Sequence, residues 1–256
     1  NATLSFGEAI GHEPGNPEPW YLLALTLEQA GRPEDSLNAL EGFLTLMPES
    51  SEGWMKAGDL LVTLGRGEEA AEAFERATGL APANATAWTR YGDSLLRASR
   101  FRDAAEAYGK AVDIRSEDAP AWFHRGTALA GAGDDEGAAA AFGRSLDIDG
   151  RQAPAWAEKG RSLSRLGQGE EAVASFSRAI DLDPALTAAL QGRGEAAGGQ
   201  ALSDLARVLA DESGVQHGVA PGKTTRRAPS SVRARRMGCD AGEEGAPGLG
   251  VFAGAV

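Results

Sequence analysis

The sequence predicts an all-α fold, a right-handed α-solenoid built from antiparallel helix pairs stacked in a superhelix. Three observations carry that prediction. Trp20, Trp54, Trp88, Trp122 and Trp156 follow one another at a constant step of 34 residues. Each block holds two apolar stripes with helical spacing, and most blocks place a glycine-containing turn between them. A fixed step of this size marks a repeated supersecondary unit rather than a single folded core.

The first helix of each unit begins near its tryptophan. Four residues on comes a small residue (Ala24, Gly58, Gly92, Gly126, Gly160), and seven on comes leucine (Leu27, Leu61, Leu95, Leu129, Leu163). Offsets 0, 4 and 7 share one helical face. The turns follow as Gly31-Arg32-Pro33, Gly65-Arg66-Gly67, Gly133-Asp134-Asp135 and Gly167-Gln168-Gly169. Glycine ends a helix at low cost because it accepts the left-handed conformation. Acidic pairs such as Glu34-Asp35, Glu68-Glu69 and Glu170-Glu171 then open the second helix. The helix dipole favours each of them there by about 0.3–1 kcal/mol.

The second helix carries its own stripe at offsets 16, 20 and 23. Ser36, Ala70, Ala104, Ala138 and Ala172 come first, then Leu40, Phe74, Tyr108, Phe142 and Phe176, then Phe43, Ala77, Ala111, Ser145 and Ala179. Pro48, Pro82, Ser116, Gly150 and Pro184 close the units. One unit alone leaves half its apolar face in water, and stacked neighbours bury it. The tryptophans are accordingly expected in the interhelix core.

These columns resemble the tetratricopeptide repeat family, whose 34-residue signature places Trp, Gly, Tyr, Ala, Phe, Ala and Pro at set positions. The family's tyrosine column is leucine here. The resemblance covers five units over residues 17–186. Residues 1–16 read as the second helix of a truncated preceding repeat, with Ala2, Phe6, Ala9 and Pro14 in register, so the chain is expected to be a fragment. Residues 187–212 read as a degenerate sixth repeat and capping helix, with Gly198-Gly199 weakening its first part. Residues 213–256 are rich in Gly, Pro and Arg, lack apolar surface to offset ordering entropy, and are expected to be disordered.

Net charge is −12, with +3 on residues 218–256 and −15 on the rest. The array itself is therefore unsuited to nonspecific contact with nucleic acid or anionic membrane. The single cysteine, Cys239, excludes an internal disulfide and a cysteine-based zinc site. His12, His124 and His217 share no ligand spacing, so no metal or other cofactor is expected. Gly222-Lys223-Thr224 lacks the glycine and the preceding strand that a phosphate loop requires. No apolar run reaches the roughly 18 residues of a membrane span, and a cytoplasmic location is the expectation.

The family resemblance implies that first helices line a concave face. Offsets −2, +1, +5 and +8 from each tryptophan then face a groove. Its candidate partner-binding residues are Tyr21, Leu25, Met55, Asp59, Thr89, Asp93, Phe123, Thr127 and Arg161. Five acids against one base, with Tyr21, Met55 and Phe123 as apolar anchors, suit a protein or peptide partner bearing basic and apolar side chains. The Lys/Asn clamp by which one family subgroup grips chaperone C-termini is absent. The resulting expectation is a non-enzymatic scaffold or adaptor. The alternatives are a regulatory or targeting segment of a larger enzyme, and weak nucleic-acid contact through the basic run from Lys223 to Arg236.

Overall fold

The computed structural model describes residues 2–199 of the chain, and its regular elements are all helical. A lone helix, α1 (Ala2–His12), precedes five pairs. These are α2 (Pro17–Gln29) with α3 (Pro33–Leu46), α4 (Ser51–Thr63) with α5 (Gly67–Leu80), α6 (Ala85–Arg97) with α7 (Phe101–Ile114), α8 (Ala119–Gly131) with α9 (Asp135–Ile148), and α10 (Ala153–Arg165) with α11 (Gly169–Leu182). One further helical stretch covers 187–199 and runs through Gly198 and Gly199. Its Ala189 and Ala196 are buried beside Phe176, packing that opposes the weak propensity of the glycine pair. The expected second capping helix around 202–211 and the expected disordered tail lie outside the described residues.

Local chemistry fixes the helix starts. Four residues before the tryptophan, the side chains of Asn16, Ser50, Asn84 and Asp118 accept hydrogen bonds from backbone N–H groups of the first turn. Such caps satisfy donors that have no intrahelical partner. Second helices begin differently. Arg32, Arg66 and Arg100 make no side-chain cap but pair with Asp35, Glu69 and Asp103 three residues on.

Between the two helices the chain reverses through a left-handed residue. Gly31, Gly65, Gly133 and Gly167 have φ of 70°, 75°, 83° and 75°. The N–H of the next residue returns to the carbonyl of the leucine at offset seven, as in Arg32 to Leu27 and Gln168 to Leu163, each at 2.9 Å. The third unit places Ser99 at this point, with φ 58°. A left-handed L-residue costs roughly 1–2 kcal/mol. Ser99→Gly is therefore expected to stabilise the protein by about 1 kcal/mol in a denaturant titration. An unchanged or lower midpoint would show that this turn carries no strain.

The enclosed core column is the one at offset 20. Leu40, Phe74, Tyr108, Phe142 and Phe176 are all essentially inaccessible to solvent. Each of the four rings lies against the glycine of the first helix of its own unit. A Cβ on Gly58 would meet Phe74 at 2.5 Å, and one on Gly126 would meet Phe142 at 2.7 Å. Where the facing residue is the smaller Leu40, the first helix carries Ala24 instead, itself fully buried. Buried hydroxyls find backbone acceptors: Ser36 donates to the Ala24 carbonyl at 2.7 Å and Ser145 to that of Ala119 at 2.8 Å.

The tryptophans stand at the margin of the core, with Trp54, Trp88 and Trp156 packed against its buried residues. Trp20, Trp54, Trp88, Trp122 and Trp156 are all half-buried. Each indole N–H donates to the carbonyl six residues back, at Pro14, Pro48, Pro82, Ser116 and Gly150, over 2.8–3.3 Å. Those carbonyls lie past the end of the preceding helix, so the indole fastens the turn between units. Cations cover several of the rings. Arg76 lies 4.9 Å from the Trp54 ring centre, Arg125 5.2 Å from that of Trp122, and Lys159 5.5 Å from that of Trp156. Trp88→Phe keeps an aromatic ring and deletes only the donor. It is expected to cost about 1 kcal/mol, measured by chemical denaturation. No loss would mean that the bond to Pro82 adds nothing to the ring.

Candidate functional site on the inner face of the helix stack

Successive first helices touch one another, α6 with α8 and α8 with α10. Second helices are held apart by the first helix between them. One cleft of about 410 Å³ is walled by Leu44 of α3 and Arg76 of α5, with Trp54 of α4 between. First helices thus form the inner side of the stack, and this cleft opens between two second helices.

The residues expected in the groove are distributed unit by unit over these first helices. In the first unit the Tyr21 hydroxyl donates to Glu52 of the second at 2.8 Å, and its ring lies 5.0 Å from that of Phe43. Burial and then the Glu52 carboxylate push the Tyr21 pKa up to about 12. The raised value means that stability from this contact is full below the ordinary tyrosine range near 10 and is lost as pH climbs toward 12. Leu25 and Met55 are half-buried, and Met55 packs on the core shared by α2 to α5.

Further along, Thr89 and Thr127 turn their hydroxyls to carbonyls of their own helices, Ala85 at 3.0 Å and Phe123 at 3.1 Å. The Phe123 ring lies 5.6 Å from that of Phe142 and 5.5 Å from that of His124. Asp93 accepts a 2.6 Å hydrogen bond from Tyr108, whose pKa is raised by burial first and by that carboxylate second. Arg161 is bound by Glu158 of its own helix at 2.6 and 2.7 Å.

The acids of this face are largely engaged. Lys56 binds Glu28 of the preceding unit at 2.5 Å, and Arg90 binds Asp59 of the preceding unit at 3.6 Å. With Tyr21 to Glu52, these contacts tie the first three units together along the inner face. The sequence places Lys56 and Arg90 near the groove stripe, one position off it, without giving their partners. Both lie two residues after a tryptophan, in one column.

Among the described residues no group of three or more His, Cys, Asp or Glu side chains could hold a metal ion. No helix there is long and apolar enough to cross a membrane.

A family model described as tetratricopeptide repeat matches residues 21–85 and 89–154, and a second model with that description matches 153–186. No curated protein matches the chain in sequence. Among solved structures, the fold is similar to that of YrrB, described as a tetratricopeptide repeat protein with an unusual peptide-binding site. The TM-score is 0.67 at 24% identity, covering 74% of this chain and 97% of that one. It is also similar to a structure of MamA, residue 41 to the end, from Desulfovibrio magneticus RS-1, with TM-score 0.60 at 21% identity over 66% of this chain and 96% of that one.

Proposed function

The chain belongs to the tetratricopeptide repeat family, and on that premise we propose that it is a protein-interaction scaffold whose inner groove holds a peptide or partner segment. The observation that carries this reading is the set of half-buried apolar side chains on three of the first helices: Tyr21 and Leu25 of α2, Met55 of α4 and Phe123 of α8. Anchors of this kind supply most of the binding energy at peptide grooves. Carboxylates beside them favour a ligand that joins basic with apolar side chains. The fold similarity to a protein described as peptide-binding supports the same reading. The role requires no active site.

Panning a random peptide display library against the protein is expected to enrich sequences in which Lys or Arg adjoins a large apolar residue. Peptides so selected should bind about tenfold or more weakly to a Leu25→Glu, Met55→Glu variant, with helicity retained by circular dichroism. Selection of purely acidic sequences, or equal affinity for the variant, would refute the groove.

A further inference from the structure

On the inner face, two of the residues that stand two positions after a tryptophan reach the unit before them. Lys56 of α4 pairs with Glu28, and Arg90 of α6 pairs with Asp59. The next member of that column is His124 of α8, which forms no ion pair among the described residues. The carboxylate in the matching place is Asp93, which stands at the same offset as Asp59. The series of inter-unit ion pairs therefore stops at this junction.

The geometry shows what takes its place. The His124 ring stacks on that of Tyr108 with centres 5.7 Å apart and planes 20° apart. The Tyr108 hydroxyl donates to Asp93 at 2.6 Å. A hydroxyl offers a dipole and leaves the carboxylate charge in place, and Asp93 forms no ion pair among the described residues. Arg97, one turn further along α6, acts on the Tyr108 hydroxyl through its charge yet makes no ion pair with Asp93. Asp93 is half-buried, where a charged partner is worth more than it is in open water. The Phe123 ring lies edge-on to that of His124.

We propose that Asp93 is the anchor point of the groove, receiving an arginine or lysine side chain of the bound peptide in the place that Lys56 and Arg90 fill in earlier units. This rests on the groove reading and adds its position. Glu28 and Asp59 already have cationic partners and compete poorly for the ligand's cation; Glu52, held like Asp93 by a tyrosine hydroxyl, is the competing carboxylate. Asp93 gains a charge-assisted hydrogen bond from that cation.

The test uses the full chain, with N-acetyl-arginine amide as probe and its uncharged analogue N-acetyl-citrulline amide as control, followed by amide chemical shifts. The arginine probe is expected to move signals of Asp93, Phe123 and Thr127, and the citrulline probe is not. Asp93→Asn removes the acceptor charge, and His124→Arg supplies the missing cation from within. Each is expected to weaken arginine binding by about tenfold, while His124→Gln leaves it unchanged.

Shifts centred on Glu28, Glu52 or Asp59, or indifference to both Asp93→Asn and His124→Arg, would overturn the proposal. So would probe binding that appears only in Arg97→Gln, since Arg97 would then be the native partner of Asp93. Display-selected peptides separate the two levels. If they respond to the Leu25 and Met55 changes but not to those at Asp93 and His124, the anchor fails and the groove stands. If they respond to neither set, the groove itself fails.

Discussion

Phe142→Ala is expected to destabilise the protein by about 3–5 kcal/mol. The ring is fully enclosed. It faces Gly126 on one side and the Phe123 ring at 5.6 Å on another, so its removal leaves a cavity with aromatic and backbone walls. Those walls belong to helices held at both ends by turns and caps, which limits collapse into the space. The unit also sits between neighbours that depend on it. Array stability is close to a sum of unit and interface terms, so a loss inside unit four weakens both of its junctions. Urea denaturation should show a lower midpoint and a broader transition as the array begins to melt in parts. A loss below about 1 kcal/mol would place the ring outside the core, contrary to the expected range for such truncations.

The second large effect concerns an added methyl group. Gly58→Ala places a Cβ at 2.5, 2.6 and 2.8 Å from three carbons of the Phe74 ring, which is 1% exposed and has nowhere to retreat. Overpacking of this kind costs about 1–3 kcal/mol. Alanine's higher helix propensity returns at most about 1 kcal/mol of it. The first unit shows the solution the fold already uses, since Ala24 there faces Leu40 and both are fully buried. Gly58→Ala combined with Phe74→Leu should therefore be more stable than Gly58→Ala alone, a non-additive pair in denaturation measurements. If Phe74→Leu worsened the variant by the same amount that it costs the parent, the two sites would be uncoupled and the packing account would be wrong.

The repeat, the paired helices and the turns were legible in the sequence because each unit makes the same demand at the same offset. Glycine at offset 11 and the small residue at offset 4 announce a left-handed turn and a close approach wherever they occur. The depth of the tryptophans was not legible. A column of large rings marks packing, but periodicity does not say whether the N–H is enclosed or reaches a carbonyl at the rim, as Trp54 reaches Pro48. The caps at Asn16, Ser50, Asn84 and Asp118 are legible as capping residue types at a constant offset, four before the tryptophan.

The groove stripe could be drawn from helical geometry alone. The partners of its acids could not, because Glu28 with Lys56 and Asp59 with Arg90 depend on how one unit is rotated against the next. That rotation is a property of the assembled stack. The gap at His124 becomes visible only once the two filled places before it are known.

The indole clasps have a mechanical consequence. Each spans six residues of chain and joins one turn to the helix that follows it, so a load applied at the two ends passes through them one after another. Few bonds are stretched side by side. The protein should lengthen under tension as a soft spring, yielding link by link, and should recoil quickly when released because every clasp re-forms between near neighbours in the chain.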